Sequence, residues 1–125
     1  MMTRYLISLG SNCPEASTMM TKANAWLKEQ FSIIETSGIY SSKALNGTSA
    51  DYLNEVVILE SALSVTEITD AAKNFEKQCG RSPQSKERGA IEIDIDIIQA
   101  NNTILRPEEF TRTYFLTGLS LLKTK

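Results

Sequence analysis

An α+β fold, an antiparallel sheet with two helices on one of its faces, is predicted by three features of the sequence. Runs rich in β-branched and aromatic residues alternate with two stretches whose apolar residues recur at helical spacing. The order of these runs is β-α-β-β-α-β, followed by a short hairpin and a helix. The run at 89–98 (GAIEIDIDII) alternates apolar and acidic residues strictly, which only an extended backbone sorts onto two faces.

Residues 4–9 (RYLISL) read as the first strand, ending where Gly10, Ser11 and Asn12 together signal a turn. Pro14 and Glu15 suit the first turn of a helix. Met19, Met20, Ala23, Trp26, Leu27 and Phe31 then recur at helical spacing, which predicts an amphipathic helix over 15–30 with a core-facing stripe. Residues 33–42, rich in β-formers and hydroxyls, read as one second strand. The stretch 44–51 (ALNGTSAD) reads as a mobile loop, since Asn46-Gly47 invites a turn. Residues 52–61 form the third strand, with Leu53, Val57 and Leu59 on one face and Asn54, Val56 and Ile58 on the other. Both faces are mostly apolar, which suits a central position.

Ser64-Val65-Thr66-Glu67 has the pattern of a capping box, in which serine and glutamate satisfy each other's backbone N–H. The helix that follows buries Ile68, Ala71, Ala72, Phe75 and Cys79, and Gly80 ends it. Residues 81–88 (RSPQSKER) are polar, contain Pro83 and show no periodicity, so they read as a loop carrying Arg81, Lys86 and Arg88. In the acidic strand Ile91, Ile93, Ile95 and Ile97 point one way, and Glu92, Asp94 and Asp96 the other. Ala100-Asn101-Asn102 turns the chain, 103–105 returns as a short strand, and 111–122 has a weak helical pattern through Tyr114, Phe115, Leu119 and Leu122. This order is that of the ferredoxin-like split βαβ fold. Residues 1–125 form a single domain, with no repeat, linker or low-complexity segment.

Composition excludes several function classes. With 42% hydrophobic residues the chain is not a disordered one. No apolar run approaches a membrane span and the N-terminus leads straight into a strand, so a soluble cytoplasmic protein is expected. A net charge of −2 gives no overall field for nucleic acid or an anionic membrane. The sequence has no histidine, which removes histidine bases, histidine metal ligands and Ser-His or Cys-His catalysis. Cys13 and Cys79 are too few for a disulfide scaffold and read as small apolar residues.

Asp94 and Asp96 lie roughly 6.5–7 Å apart along one strand face and can bend toward a shared hard cation. The same pattern also fits a half-solvated strand, although Asp is a poor strand former and neighbouring acids repel. With both helices on the isoleucine face, the acids emerge on the uncovered face beside the basic stretch 81–88. That juxtaposition fits a magnesium-nucleotide site. On the residues alone, a solvated loop forming salt bridges to the strand is the favoured reading of that juxtaposition. The residues alone leave both pairs of readings open.

Four segments taken together narrow the choice. They are Tyr5-Leu6-Ile7-Ser8-Leu9-Gly10-Ser11-Asn12, Asp51-Tyr52-Leu53-Asn54-Glu55-Val56-Val57, Phe75-Glu76 with Gly80-Arg81, and Ile93-Asp94-Ile95-Asp96-Ile97-Ile98. In order and spacing, over residues 5 to 119, the chain resembles the hydroxymethyl-dihydropterin pyrophosphokinases of folate synthesis. The resemblance implies a ferredoxin-like fold and transfer of the terminal pyrophosphate of ATP to the hydroxymethyl group of a reduced pterin. It implies two Mg²⁺ ions held by Asp94 and Asp96. It implies pterin contacts from Asn54, Tyr52, Tyr114, Ser42 and Leu45. Arg81, Lys86, Arg88 and Arg112 are expected on the nucleotide side, with Arg81 counted as catalytic beside the two aspartates. The expected partners are small molecules only, ATP and the pterin, with no nucleic acid, no membrane and a monomeric chain.

The chain departs from the family pattern on the phosphate side. It has Gly89-Ala90-Ile91 where the family reads Gly-Pro-Arg, Pro83 where a second loop arginine is usual, and Pro107-Glu108-Glu109 where a histidine is expected. Losing one donor aimed at the transferring phosphoryl group costs on the order of 10²-fold in rate. The alternative is therefore a homologue that binds pterin or nucleotide without turnover. An RNA-binding domain on the same fold is disfavoured, because the open face is acidic and lacks paired aromatics on its central strands.

Overall fold

A computed structural model describes residues 1–44, 47 and 50–123. The elements are β1 (Thr3–Ser11), α1 (Ala16–Gln30), β2 (Ser32–Thr36), β3 (Tyr40–Ser42), β4 (Tyr52–Ser61), α2 (Val65–Gln78), α3 (Pro83–Arg88), β5 (Asp94–Ala100), β6 (Thr103–Ile104) and α4 (Thr113–Leu121), with one 3-10 turn at Glu109–Thr111. The strands form one antiparallel sheet in the order β2-β4-β1-β5-β6, with β3 also paired to β4. This is the expected ferredoxin-like topology.

Ile93, Ile95 and Ile97 of the acidic strand face the two long helices as expected, but Ile91, which precedes β5, lies outside that core. Ile93, Ile95 and Ile97 pack with Tyr5, Ile7 and Leu9 of β1, Val57 and Leu59 of β4, and the apolar stripes of α1 and α2. Each such buried side chain contributes about 1.5–3 kcal/mol. Trp26 of α1 stacks on Phe75 of α2 with ring centroids 4.8 Å apart, locking the helices together. The capping box of α2 is formed: the Ser64 hydroxyl accepts from Glu67 N at 3.2 Å, and Glu67 Oε1 accepts from Ser64 N at 3.0 Å.

Four local expectations are corrected. The strand at 33–42 is two strands, because Gly38 takes a left-handed φ of 77°. There the Ser37 hydroxyl accepts from Val56 N at 2.9 Å in place of a ladder bond. The stretch 81–88 is largely helical. Ser82 and Ser85 form its capping box, Pro83 opens it, and Gly89 closes it in the left-handed region. Six residues are too few for periodicity to show, so only the caps could have revealed it.

The third correction concerns β5, which starts at Asp94 instead of residue 89. The Asn12 side chain donates to Gly89 O at 2.8 Å and accepts from Ile91 N at 2.6 Å, so it pins residues 89–91 to the end of β1. Lastly, the face opposite α1 and α2 is not bare. Phe115 and Leu122, in and just after α4, cover Val56, Ile58 and Ile98 there. The apolar second face of β4 requires such a cover. A Cβ on Gly118 would overlap the Tyr40 hydroxyl and Val56, so glycine is what lets α4 approach this closely. The acidic end of β5 lies beside this helix, in the part of the face left open.

Candidate active site

Strand register brings the site together. Gly10 on β1 is paired with Asn54 on β4 and with Asp94 on β5, so the three form one row across the sheet. Ser8, two residues earlier, is paired with Asp96. Gly10 keeps the row open. A Cβ there would touch the Tyr52 ring at 3.5 Å and Asn54 Oδ1 at 3.6 Å. Over this row lies a cavity of about 390 Å³.

At one end of the cavity Asn54 is 4% exposed, and its amide donates to the Ser42 hydroxyl at 2.7 Å. Tyr52 and Tyr114 contribute to the wall. The Tyr114 hydroxyl donates to Glu109, while the Tyr40 hydroxyl holds the backbone carbonyl of Tyr114 at 2.6 Å. Burial first, then nearby carboxylates, raises the pKa of both cavity tyrosines, so they remain neutral donors.

At the other end sit Asp94 and Asp96. Strand β6 pairs only with Gln99 and Ala100, so the start of β5 has an unpaired edge. Side chains from α2 and the residue stretch after it satisfy that edge. Glu76, 3% exposed, accepts from Ile95 N at 2.8 Å. Arg81 donates to Ile93 O at 3.0 Å and Lys73 to Ile95 O at 3.3 Å. The same cations reach the acids. Arg81 Nη1 lies 2.8 Å from Asp94 and 3.2 Å from Glu76. Lys73 Nζ lies 3.9 Å from Asp94 and 3.7 Å from Asp96, and Arg106 lies 3.7 Å from Asp96.

The two aspartates titrate apart. Burial opposes the charge on Asp94, but the Arg81 hydrogen bond, a hydrogen bond from Asp96 and the Arg81 and Lys73 charges hold its pKa below the ordinary value. Asp96 is pushed up to about 7 by burial and by the Asp94 carboxylate, against the pull of Lys73 and Arg106. The pair therefore holds a proton more readily than two independent carboxylates would.

Among the described residues no group of three or more His, Cys, Asp or Glu side chains converges to hold a metal. Two hard carboxylates nonetheless fit Mg²⁺, which takes one or two protein carboxylates and completes its shell with water and phosphate. The donor set suits a metal brought in with a phosphate ligand.

Of the residues singled out in the sequence, Ser42, Tyr52, Asn54, Arg81, Lys86, Asp94, Asp96 and Tyr114 line this one cavity. Arg88 does not. The helical turn of α3 directs it to Glu92 at 3.0 Å, on the wall of a neighbouring cleft. Arg112 is exposed at the start of α4, away from the cavity lining. Leu45 lies outside the described residues. Lys73, Glu76, Arg106 and Glu109 were given no role from sequence. One signal was available, because Glu76 interrupts the apolar face of α2 four residues after Ala72.

The family model described as 7,8-dihydro-6-hydroxymethylpterin-pyrophosphokinase (HPPK) matches residues 6–124. The chain belongs to the HPPK family. It is 35% identical over 107 residues to the 2-amino-4-hydroxy-6-hydroxymethyldihydropteridine pyrophosphokinase of Aquifex aeolicus, a match covering 85% of this chain and 66% of that protein. It is 32% identical over 121 residues to the protein of the same name from Haemophilus influenzae, covering 92% of this chain and 72% of the relative. The HPPK match contains every residue of the Gly10–Asn54–Asp94 row.

Proposed function

We propose that this HPPK-family chain transfers pyrophosphate from ATP to the hydroxymethyl group of 6-hydroxymethyl-7,8-dihydropterin. The observation that carries the reading is the single cavity shared by an amide-and-tyrosine slot and a pair of aspartates. A flat heterocycle with hydrogen-bonding edges suits the first, and a phosphate chain with its metal suits the second.

Catalysis in this reading is positioning and charge neutralisation, without a covalent intermediate. Asn54, braced by Ser42, orients the pterin edge, and Tyr52 and Tyr114 bound the ring. The hydroxymethyl oxygen attacks the β-phosphorus of ATP and gives up its proton to solvent, the bond from that phosphorus to the bridging α–β oxygen breaks, and AMP leaves. Arg81 and Lys86 neutralise the phosphate chain from the α2–α3 side. Two Mg²⁺ ions carried by Asp94 and Asp96 together with the phosphates would supply electrostatic stabilisation of the transferring group. Arg88 and Arg112 take no part in this assignment, since neither lines the cavity.

No helix is long and apolar enough to cross a membrane among the described residues. We place the reaction in the cytoplasm, in a monomer that uses small molecules alone. A coupled assay for AMP tests the proposal. Release should require ATP, the pterin and Mg²⁺ together. Binding of pterin or nucleotide with no AMP under those conditions supports the binding-only alternative instead.

A further inference from the structure

Lys73 occupies an all-oxygen environment of the kind that a metal ion takes. Its Nζ lies 3.0 Å from Glu76 Oε2 and 3.3 Å from Ile95 O, with Asp94 Oδ1 at 3.9 Å and Asp96 Oδ1 at 3.7 Å. The neighbouring cations differ from it. Arg81 is fixed by three partners, Glu76, Asp94 and Ile93 O. Arg106 reaches Asp96 and Glu109 but has no contact with Asp94 among the described ion pairs. Lys73 alone among the described ion pairs touches both aspartates, and its side chain is 44% exposed. A half-exposed ammonium on a flexible four-carbon stem can leave such a position without disturbing α2.

We propose that Lys73 is a tethered counter-ion of the Asp94–Asp96 pair, which competes with a divalent cation for the two carboxylates and passes to phosphate oxygens when a metal–nucleotide enters. The idea rests on the phosphate reading of this cavity and extends it. The lysine serves as a positioning residue that keeps the acidic pair together before substrate arrives. It also makes metal binding depend on the nucleotide. A bare divalent ion must displace the ammonium with nothing to receive it, whereas a metal–triphosphate brings oxygen atoms that can accept it.

Binding of Mn²⁺, read by its electron paramagnetic resonance signal, tests this without reference to activity. Wild type, Lys73→Gln, Lys73→Met and Lys73→Arg are titrated with Mn²⁺ alone, then with Mn²⁺ and a non-hydrolysable ATP analogue. Removing a positive charge that lies 3.9 Å from Asp94 and 3.7 Å from Asp96 should tighten Mn²⁺ alone on the order of tenfold in the Gln and Met variants. The Arg variant should stay close to wild type. With the analogue present, the neutral variants should lose that advantage. Lys73→Met keeps the aliphatic stem and serves if Lys73→Gln folds poorly. Mn²⁺ affinity that is unchanged or weaker in the neutral variants overturns the counter-ion role, because a purely structural lysine gives that result. Failure of wild type to bind the analogue with Mn²⁺ is a separate outcome, which removes the nucleotide reading and the hand-over with it.

Discussion

Glu76 Oε2 accepts the backbone N–H of Ile95 at 2.8 Å, so a carboxylate from α2 completes the edge of β5 where no strand does. The same carboxyl group binds Lys73 at 3.0 Å and Arg81 at 3.2 Å. Through it the helix that packs on the isoleucine face also positions Arg81 and Lys73 beside the acidic face. Placement of Asp94 and Asp96 and neutralisation of their charge thus depend on one buried residue.

Glu76→Ala should destabilise the fold by about 3–5 kcal/mol, since it leaves Arg81 short of a partner and a buried N–H unsatisfied. Glu76→Gln keeps an acceptor for Ile95 N and should cost less. Urea denaturation of the two variants beside wild type measures the difference.

Asp94→Asn and Asp96→Asn should each lower AMP release by on the order of 10²-fold or more. Neither side chain lies in the isoleucine core, so circular dichroism of both variants should match wild type.

Asp96 makes stability depend on pH. Burial and the Asp94 carboxylate raise its folded pKa to about 7, above the value near 4 of an unfolded aspartate. The folded state then binds the extra proton between those values, so this contribution is fully present below about pH 4 and is lost as pH rises through about 7. Asp96→Asn cannot ionise. Without divalent metal, its melting temperature should rise relative to wild type between pH 5 and pH 8, by about a few degrees. A difference that stays constant with pH would contradict the raised value.

Arg81 and Arg88 should behave differently. Arg88→Ala breaks an exposed pair with Glu92 and should change the KM for ATP by less than about twofold. Arg81→Ala removes a cavity cation bonded to Asp94 and should weaken ATP binding by about tenfold or more. Steady-state titration of ATP separates the two.

Gly118→Ala should destabilise the fold by about 1–3 kcal/mol, because its methyl group has no room beside Tyr40 and Val56. Thermal melting reads this directly.

The fold was legible because periodicity carried it. Ile93, Ile95 and Ile97 could satisfy a helix-covered face only as a strand, and the stripes of α1 and α2 named their own cores. Asn54, Tyr52, Asp94 and Asp96 were singled out as candidates through ordered motifs, and register places them around one cavity. Lys73 and Arg106 were not. Neither belongs to a motif, and only the three-dimensional path of α2 and of the segment after β6 brings them to the acids. Arg88 failed to reach the cavity because the caps of α3 outweighed its loop-like composition and directed the side chain to Glu92. The cover supplied by α4 was missed because its pattern is weak, although Val56 and Ile58 on β4 required some partner.

The most direct measurement follows ³¹P NMR of ATP, Mg²⁺ and 6-hydroxymethyl-7,8-dihydropterin incubated with the purified chain. Equal amounts of AMP and pterin diphosphate, absent with Asp94→Asn, are the predicted result. ATP that persists unchanged, or that breaks down to ADP with no pterin product, would contradict the assignment.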